Sequence, residues 1–180
     1  MEIHRTPNGK PFFENLEYNV SHAGGIVVLV GFDHPIGVDI VQRYELISEF
    51  SSFDIASMFS PGERESLSKC STSNEYNDLF LVNFAFKEAY MKFTGTPDWD
   101  NLSSIEFLDI TVPWFGPCTT TAVGRITIYG VVELGYTECH LIDDTHFIAL
   151  YTSSSPDDSN TPFKRITLEE IVASLSIEDR

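Results

Sequence analysis

The stretch NFAFKEAYMKFTG, residues 83–95, constrains this chain more than any other segment. From Leu79 to Phe93 apolar residues occur nearly all round a helical projection, which predicts a buried helix. Gly95 and Pro97 then supply a C-terminal stop. Lys87, Glu88 and Lys92 nevertheless lie inside it. Glu88 and Lys92 are one turn apart and share a face, whereas Lys87 points about 100° round the axis. A Glu-to-Lys pair on a solvated surface would contribute only a few tenths of a kcal/mol. Phe84, Phe86, Tyr90, Met91 and Phe93 leave little room for such a surface. Burying Glu88 and Lys92 without partners would cost several kcal/mol each. These charges therefore call for paired groups, a metal or a ligand. A helix carboxylate, a second one from a strand and a lysine one turn on would suit Mg²⁺ and a phosphate, because Mg²⁺ takes one or two carboxylates and completes its octahedron with phosphate oxygens and water.

The rest of the chain makes cations scarce. Eleven Lys+Arg against 27 Asp+Glu give a net charge of −16 over 180 residues. This argues against a nucleic-acid binder, which needs a positive surface field. No segment approaches the run of about 18 apolar residues that a membrane span requires. Cys70, Cys118 and Cys139 are widely spaced and lack a CxxC pair. With no secretory leader at the N-terminus, they read as free thiols of a cytoplasmic protein.

Elements follow from periodicity and punctuation. TPNGKP (6–11) is a turn, and YNVSHAGG (18–25) is extended and ends in two glycines. GIVVLVGF (25–32) reads as a buried strand, and IGVDIV (36–41) as its hairpin partner. Leu46, Ile47, Phe50, Ile55 and Met58 form a helical stripe over 44–58. Ser60-Pro61-Gly62-Glu63 has the spacing of a fresh helix start, and STSNEYND (71–78) could cap the next helix. After residue 105, IEFLDITV, GRITIYGVVEL, TECHLID and HFIALYTS read as an antiparallel meander. A polar linker and a short amphipathic helix (163–175) close the chain. The fold class is α+β, an antiparallel sheet packed with helices.

Two further places could take part in chemistry. Asp39 lies in the apolar strand IGVDIV, either capping a turn or ligating a metal. Asn19, Ser21 and His22 in NVSH are donors on an extended segment, and Lys10 in GKP is one of two cations before Arg43. A Ser-His pair alone is more often a satisfied turn than a site, and there is no GxSxG elbow of a serine hydrolase.

In order, GKP…YNVSH, IGVDI and NFAFKEAYMKFTG resemble the 4′-phosphopantetheinyl transferases of the surfactin-synthetase-activating and fungal lysine-pathway type. That family shows a G-[IV]-D strand motif, then [FW]-[ASC]-x-K-E-[AS]-x-x-K some forty to fifty residues on; Phe84 to Lys92 match the second. The resemblance implies a Mg²⁺-dependent transferase that moves the phosphopantetheine arm of coenzyme A to a serine of an apo carrier protein, releasing adenosine 3′,5′-bisphosphate. It places Asp39 and Glu88 on the metal. It makes Glu88 and Lys92 catalytic, with Lys92 on a pyrophosphate oxygen. It gives Lys10, Ser21, His22, Lys87 and Lys92 to coenzyme A, with Lys87 supporting. Carrier-protein docking would use Arg43, Tyr44, Met58 and Phe59. Val41 stands where many members have a third acidic ligand. The resemblance further implies a catalytic lobe over 1–153, with most of an N-terminal lobe absent, and a linker and helix over 154–180. A non-catalytic module binding coenzyme A or carrier protein, and an unrelated α+β domain, are the alternatives.

Overall fold

A computed structural model describes residues 2–43, 52–108, 110, 120–122 and 125–153, with 164, 166, 167, 169, 170 and 173 near the C-terminus. The expected helix over 44–58 therefore appears only from Ser52, and Tyr44 and Cys118 lie outside the described residues. So do most of the polar linker and the end helix. Cys70 and Cys139 are free. No described helix is long and apolar enough to cross a membrane.

Short strands β1 (His4–Arg5) and β2 (Pro11–Phe13) lead into β3 (Leu16–Ala23) and β4 (Ile26–Phe32), in the antiparallel order β1-β2-β3-β4. Gly24 and Gly25 turn the β3–β4 hairpin with φ of 52° and 81°, left-handed values that suit glycine. β5 (Ile36–Gln42) then leaves this sheet. It pairs with β11 (His146–Thr152), and β10 (Tyr136–Leu141) and β7 (Thr120–Ala122) follow in the order β5-β11-β10-β7. A third sheet of three strands holds β6 (Ile105–Leu108), β8 (Arg125–Ile128) and β9 (Val131–Leu134).

The α+β class is as the sequence indicates, but two strand assignments change. β4 is buried on one face only: Val28 is 5% exposed and packs with Val38, Ile40 and Ile148, whereas Val27 and Leu29 are 70% and 66% exposed on its outer face. Its hairpin partner is β3, not β5. The expected meander is divided between two sheets, and Arg125 to Leu134 fold into the β8–β9 hairpin around Tyr129-Gly130.

Three helices lie between β5 and β6: α1 (Ser52–Met58), α2 (Pro61–Ser68) and α3 (Ser73–Thr94). Capping boxes start both α2 and α3, through Ser60 with Glu63 and Thr72 with Glu75. The polar stretch 71–78 caps the helix as expected, with Thr72 at the N-cap, and from Ser73 it also supplies the first turns of α3. Gly95 ends the helix in the left-handed region, φ 68°.

Helix α3 packs on β5 and β11 through small residues. Ala85 and Ala89 are fully buried, and Gly37 of β5 faces the helix backbone. A Cβ on Gly37 would overlap the Ala89 carbonyl and lie 2.6 Å from Phe93 N. Main-chain atoms inside a helix cannot yield as a flexible side chain does. We expect Gly37→Ala to lower stability by about 3 kcal/mol through overpacking, a Tm drop of roughly 6–12 °C for a chain of this size. Circular-dichroism melting reads this, and an unchanged Tm would refute the close approach.

Candidate active site

β5 is an edge strand, so alternate backbone N–H groups face away from β11 and need acceptors. Asn19 Oδ1 accepts from Val38 N at 3.1 Å, and Ser21 Oγ accepts from Ile40 N at 3.3 Å. Residues 19 and 21 share one face of β3 because strand side chains alternate. Their i, i+2 spacing matches the two outward-facing amides of β5.

The same alternation turns Asp39 into the joint between β3, β5 and α3. It is 6% exposed. Ser21 Oγ donates to its Oδ1 at 2.8 Å, and Lys92 Nζ at 2.6 Å. Lys92 Nζ also lies 2.8 Å from Ser21 Oγ. Glu88, one helical turn before Lys92, is half-buried on this side of α3. Burial is the main reason its carboxyl is pushed up to about 7; the charge of Asp39 adds to the rise and Lys92 opposes it. Burial likewise raises Asp39, held back by Lys92 and Ser21. Two carboxylates close enough to repel, an ammonium and a hydroxyl thus share one small volume.

That donor set fits Mg²⁺ delivered with a phosphate ligand. Two carboxylates in mutual repulsion attract a dication, and substrate oxygens and water fill the remaining positions. Among the described residues no group of three or more His, Cys, Asp or Glu is placed to hold a metal ion.

Other expected site residues lie elsewhere. His22 follows Ser21 on β3 and therefore points to the opposite, outer face, where it is exposed opposite Val27. It does not join Ser21 at Asp39. Lys87 is fully buried. Its Nζ lies 2.8 Å from Glu63 Oε2 and donates to the carbonyls of Leu102 and Ile105. An ammonium so enclosed does not reach coenzyme A, which corrects its expected binding role. Lys10 is also engaged: its Nζ donates to Phe93 O at 3.1 Å and Ile36 O at 3.2 Å, and lies 3.6 Å from Glu17. Burial lowers its pKa, opposed by Glu17. It is not a free phosphate-binding cation.

The docking candidates change as well. Phe59 is fully buried and Met58 is 9% exposed, so both are core. Arg43 forms a two-pronged pair with Asp78, at 2.9 Å through Nε and 2.5 Å through Nη2. Sequence reading missed Glu63 as the partner of Lys87. Its signal was available: a lysine inside an apolar helix requires a carboxylate, and Glu63 stands in a capping box just upstream. Besides Lys87, Glu63 accepts from Ser60 N at 2.9 Å and Phe107 N at 3.2 Å.

A strand carboxylate and an ammonium on one hydroxyl, with a helix carboxylate within range of both charges, define a centre suited to neutralising and aligning phosphate groups. The chain belongs to the 4′-phosphopantetheinyl transferase superfamily, whose model matches residues 35–124. It is 35% identical over 113 residues to the L-aminoadipate-semialdehyde dehydrogenase-phosphopantetheinyl transferase of Schizosaccharomyces pombe, covering 53% of this chain and 43% of that protein. The chain thus spans less than half the length of that relative. The crystal structure of Thermotoga maritima holo-[acyl-carrier-protein] synthase aligns with a TM-score of 0.43 at 16% identity, covering 65% of this chain and 61% of that one. Likeness at that level supports no residue-by-residue conclusion.

Proposed function

We propose that the chain transfers the 4′-phosphopantetheine arm of coenzyme A to a serine of an apo carrier protein, with adenosine 3′,5′-bisphosphate as the second product. The Ser21–Asp39–Lys92–Glu88 cluster is the observation that supports this reading. Asp39 and Glu88 would hold Mg²⁺, which supplies positive charge to the pyrophosphate. Lys92 offsets charge on the departing phosphate while Ser21 keeps it oriented. The carrier serine Oγ attacks the phosphorus next to the pantetheine arm. The bond from that phosphorus to the bridging oxygen breaks, and adenosine 3′,5′-bisphosphate leaves with the electron pair. The serine proton passes to a carboxylate oxygen of Glu88, which lies on the same side of α3 as Lys92.

The expected substrates are coenzyme A and a carrier-protein domain, including one of an L-aminoadipate-semialdehyde dehydrogenase such as the relative's name gives. Incubation with a fluorescent coenzyme A, Mg²⁺ and an apo carrier protein should label the carrier and release one nucleotide per label. Absence of label, also when the portion of the S. pombe relative outside the matched region is supplied, would refute the reading.

One observation favours a second reading. Lys10 and Lys87 are engaged in the framework, and His22 faces away from Asp39. A module that binds coenzyme A or a carrier without turnover would need less of the site. Calorimetry showing coenzyme A binding without nucleotide release would identify it.

A further inference from the structure

We propose that Lys10 is a positioning residue that fixes the gap between Lys92 and Asp39, and that it does not bind substrate phosphate. This inference rests on the transfer reading above only for its kinetic test. Phe93, whose carbonyl takes one Lys10 bond, follows Lys92 directly at the end of α3. Ile36, whose carbonyl takes another, opens β5 three residues before Asp39. One ammonium thus ties the end of the helix bearing Lys92 to the start of the strand bearing Asp39.

The carbonyls of a last helical turn have no helical partners, and a cation there is favoured by the helix dipole as well as by hydrogen bonding. Lys10 is well placed for this. Its side chain is 7% exposed, with the ammonium 5.9 Å from the Phe93 ring centroid and 3.6 Å from Glu17. The turn that presents it is itself fastened to the helix end. Asn8 Nδ2 donates to Thr96 Oγ1 at 3.0 Å, Gly9 N to Thr6 O at 2.8 Å, and Thr6 N to Lys10 O at 2.9 Å. A Cβ on Gly95 would stand 3.3 Å from Lys10 Cβ, so the stem of the lysine is seated against the αL glycine that ends α3. The Lys92–Asp39 contact of 2.6 Å lies one residue from this clasp on the helix and three on the strand.

Removing the ammonium frees both carbonyls and lets the helix end move relative to β5. Lys10→Met should lower kcat about 10-fold and leave KM for coenzyme A within twofold. A phosphate ligand would behave oppositely, with KM rising 10-fold or more and kcat little changed; that result overturns the proposal. A second readout needs no activity. In ¹⁵N–¹H spectra at low temperature, the hydrogen-bonded Lys92 ammonium should be visible in the parent chain, assigned by its loss in Lys92→Met. It should be lost or shifted in folded Lys10→Met. If Lys10→Met does not fold, Lys10→Gln keeps one donor and should show the same loss in part. An unchanged Lys92 signal in a folded Lys10 variant overturns the proposal. Should the parent chain transfer nothing, even with the rest of the S. pombe relative supplied, the functional reading falls and this spectroscopic arm still decides the role of Lys10.

Discussion

Glu63→Ala should lower stability by about 3–5 kcal/mol, because it leaves the Lys87 ammonium buried without its carboxylate. Three structures would loosen together. The α2 cap loses its Glu63–Ser60 bond, the Phe107 amide of β6 loses its acceptor, and α3 loses a charged tether at its middle. Glu63→Leu with Lys87→Met should recover part of the loss, since no charge is then stranded. Recovery stays incomplete because the carbonyls of Leu102 and Ile105 lose their donor. Denaturant titration of the parent, Glu63→Leu, Lys87→Met and the double variant in a double-mutant cycle measures this, with Glu63→Ala titrated beside them. Strictly additive single effects would show that the pair is not coupled.

Glu88→Gln should abolish transfer, by roughly 10³-fold or more, if Glu88 both holds the cation and receives the serine proton. The same change should stabilise the protein at alkaline pH. Glu88 titrates near 7 in the fold against an ordinary 4.5. The fold therefore holds this proton more tightly than the unfolded chain does. Its contribution to stability is complete below about pH 4.5 and is lost as pH rises through 7. A rise of that size corresponds to about 3 kcal/mol for a fully enclosed group, discounted to roughly 1–2 kcal/mol for a half-buried side chain. Glu88→Gln should thus melt higher than the parent at pH 8, with the difference vanishing near pH 4. A variant that melts lower at pH 8, or that keeps normal transfer, would remove Glu88 from the centre of the site.

The helix carrying Glu88 was legible because local rules define it. Buried residues on every side, a glycine stop and charges at i and i+4 are all written within one segment. Asp39 was legible as a residue, but not its setting. The sequence suggested a hairpin between neighbouring strands, whereas β5 pairs with β11 more than a hundred residues on. Nothing local encodes that pairing. GIVVLVGF misled for a related reason. A β-branched run shows that a strand forms, but not which face is covered. The opposite directions of Ser21 and His22 do follow from the alternation of strand side chains, and that rule alone separates them. Lys10 and Lys87 were given to coenzyme A by the family resemblance, Lys87 in a supporting role. In the fold, burial and nearby carbonyls hold both inside the framework.

Among the described residues, no backbone ladder joins β3 to β5; Asn19 and Ser21 bridge them through their side chains. The register between the hairpin and β5 is therefore written in side chains: the polar groups of Asn19 and Ser21, and the apolar contact of Val28 with Val38 and Ile40. A substitution at 19 or 21 therefore acts on how the sheets meet and leaves the main-chain pairing within each of them untouched.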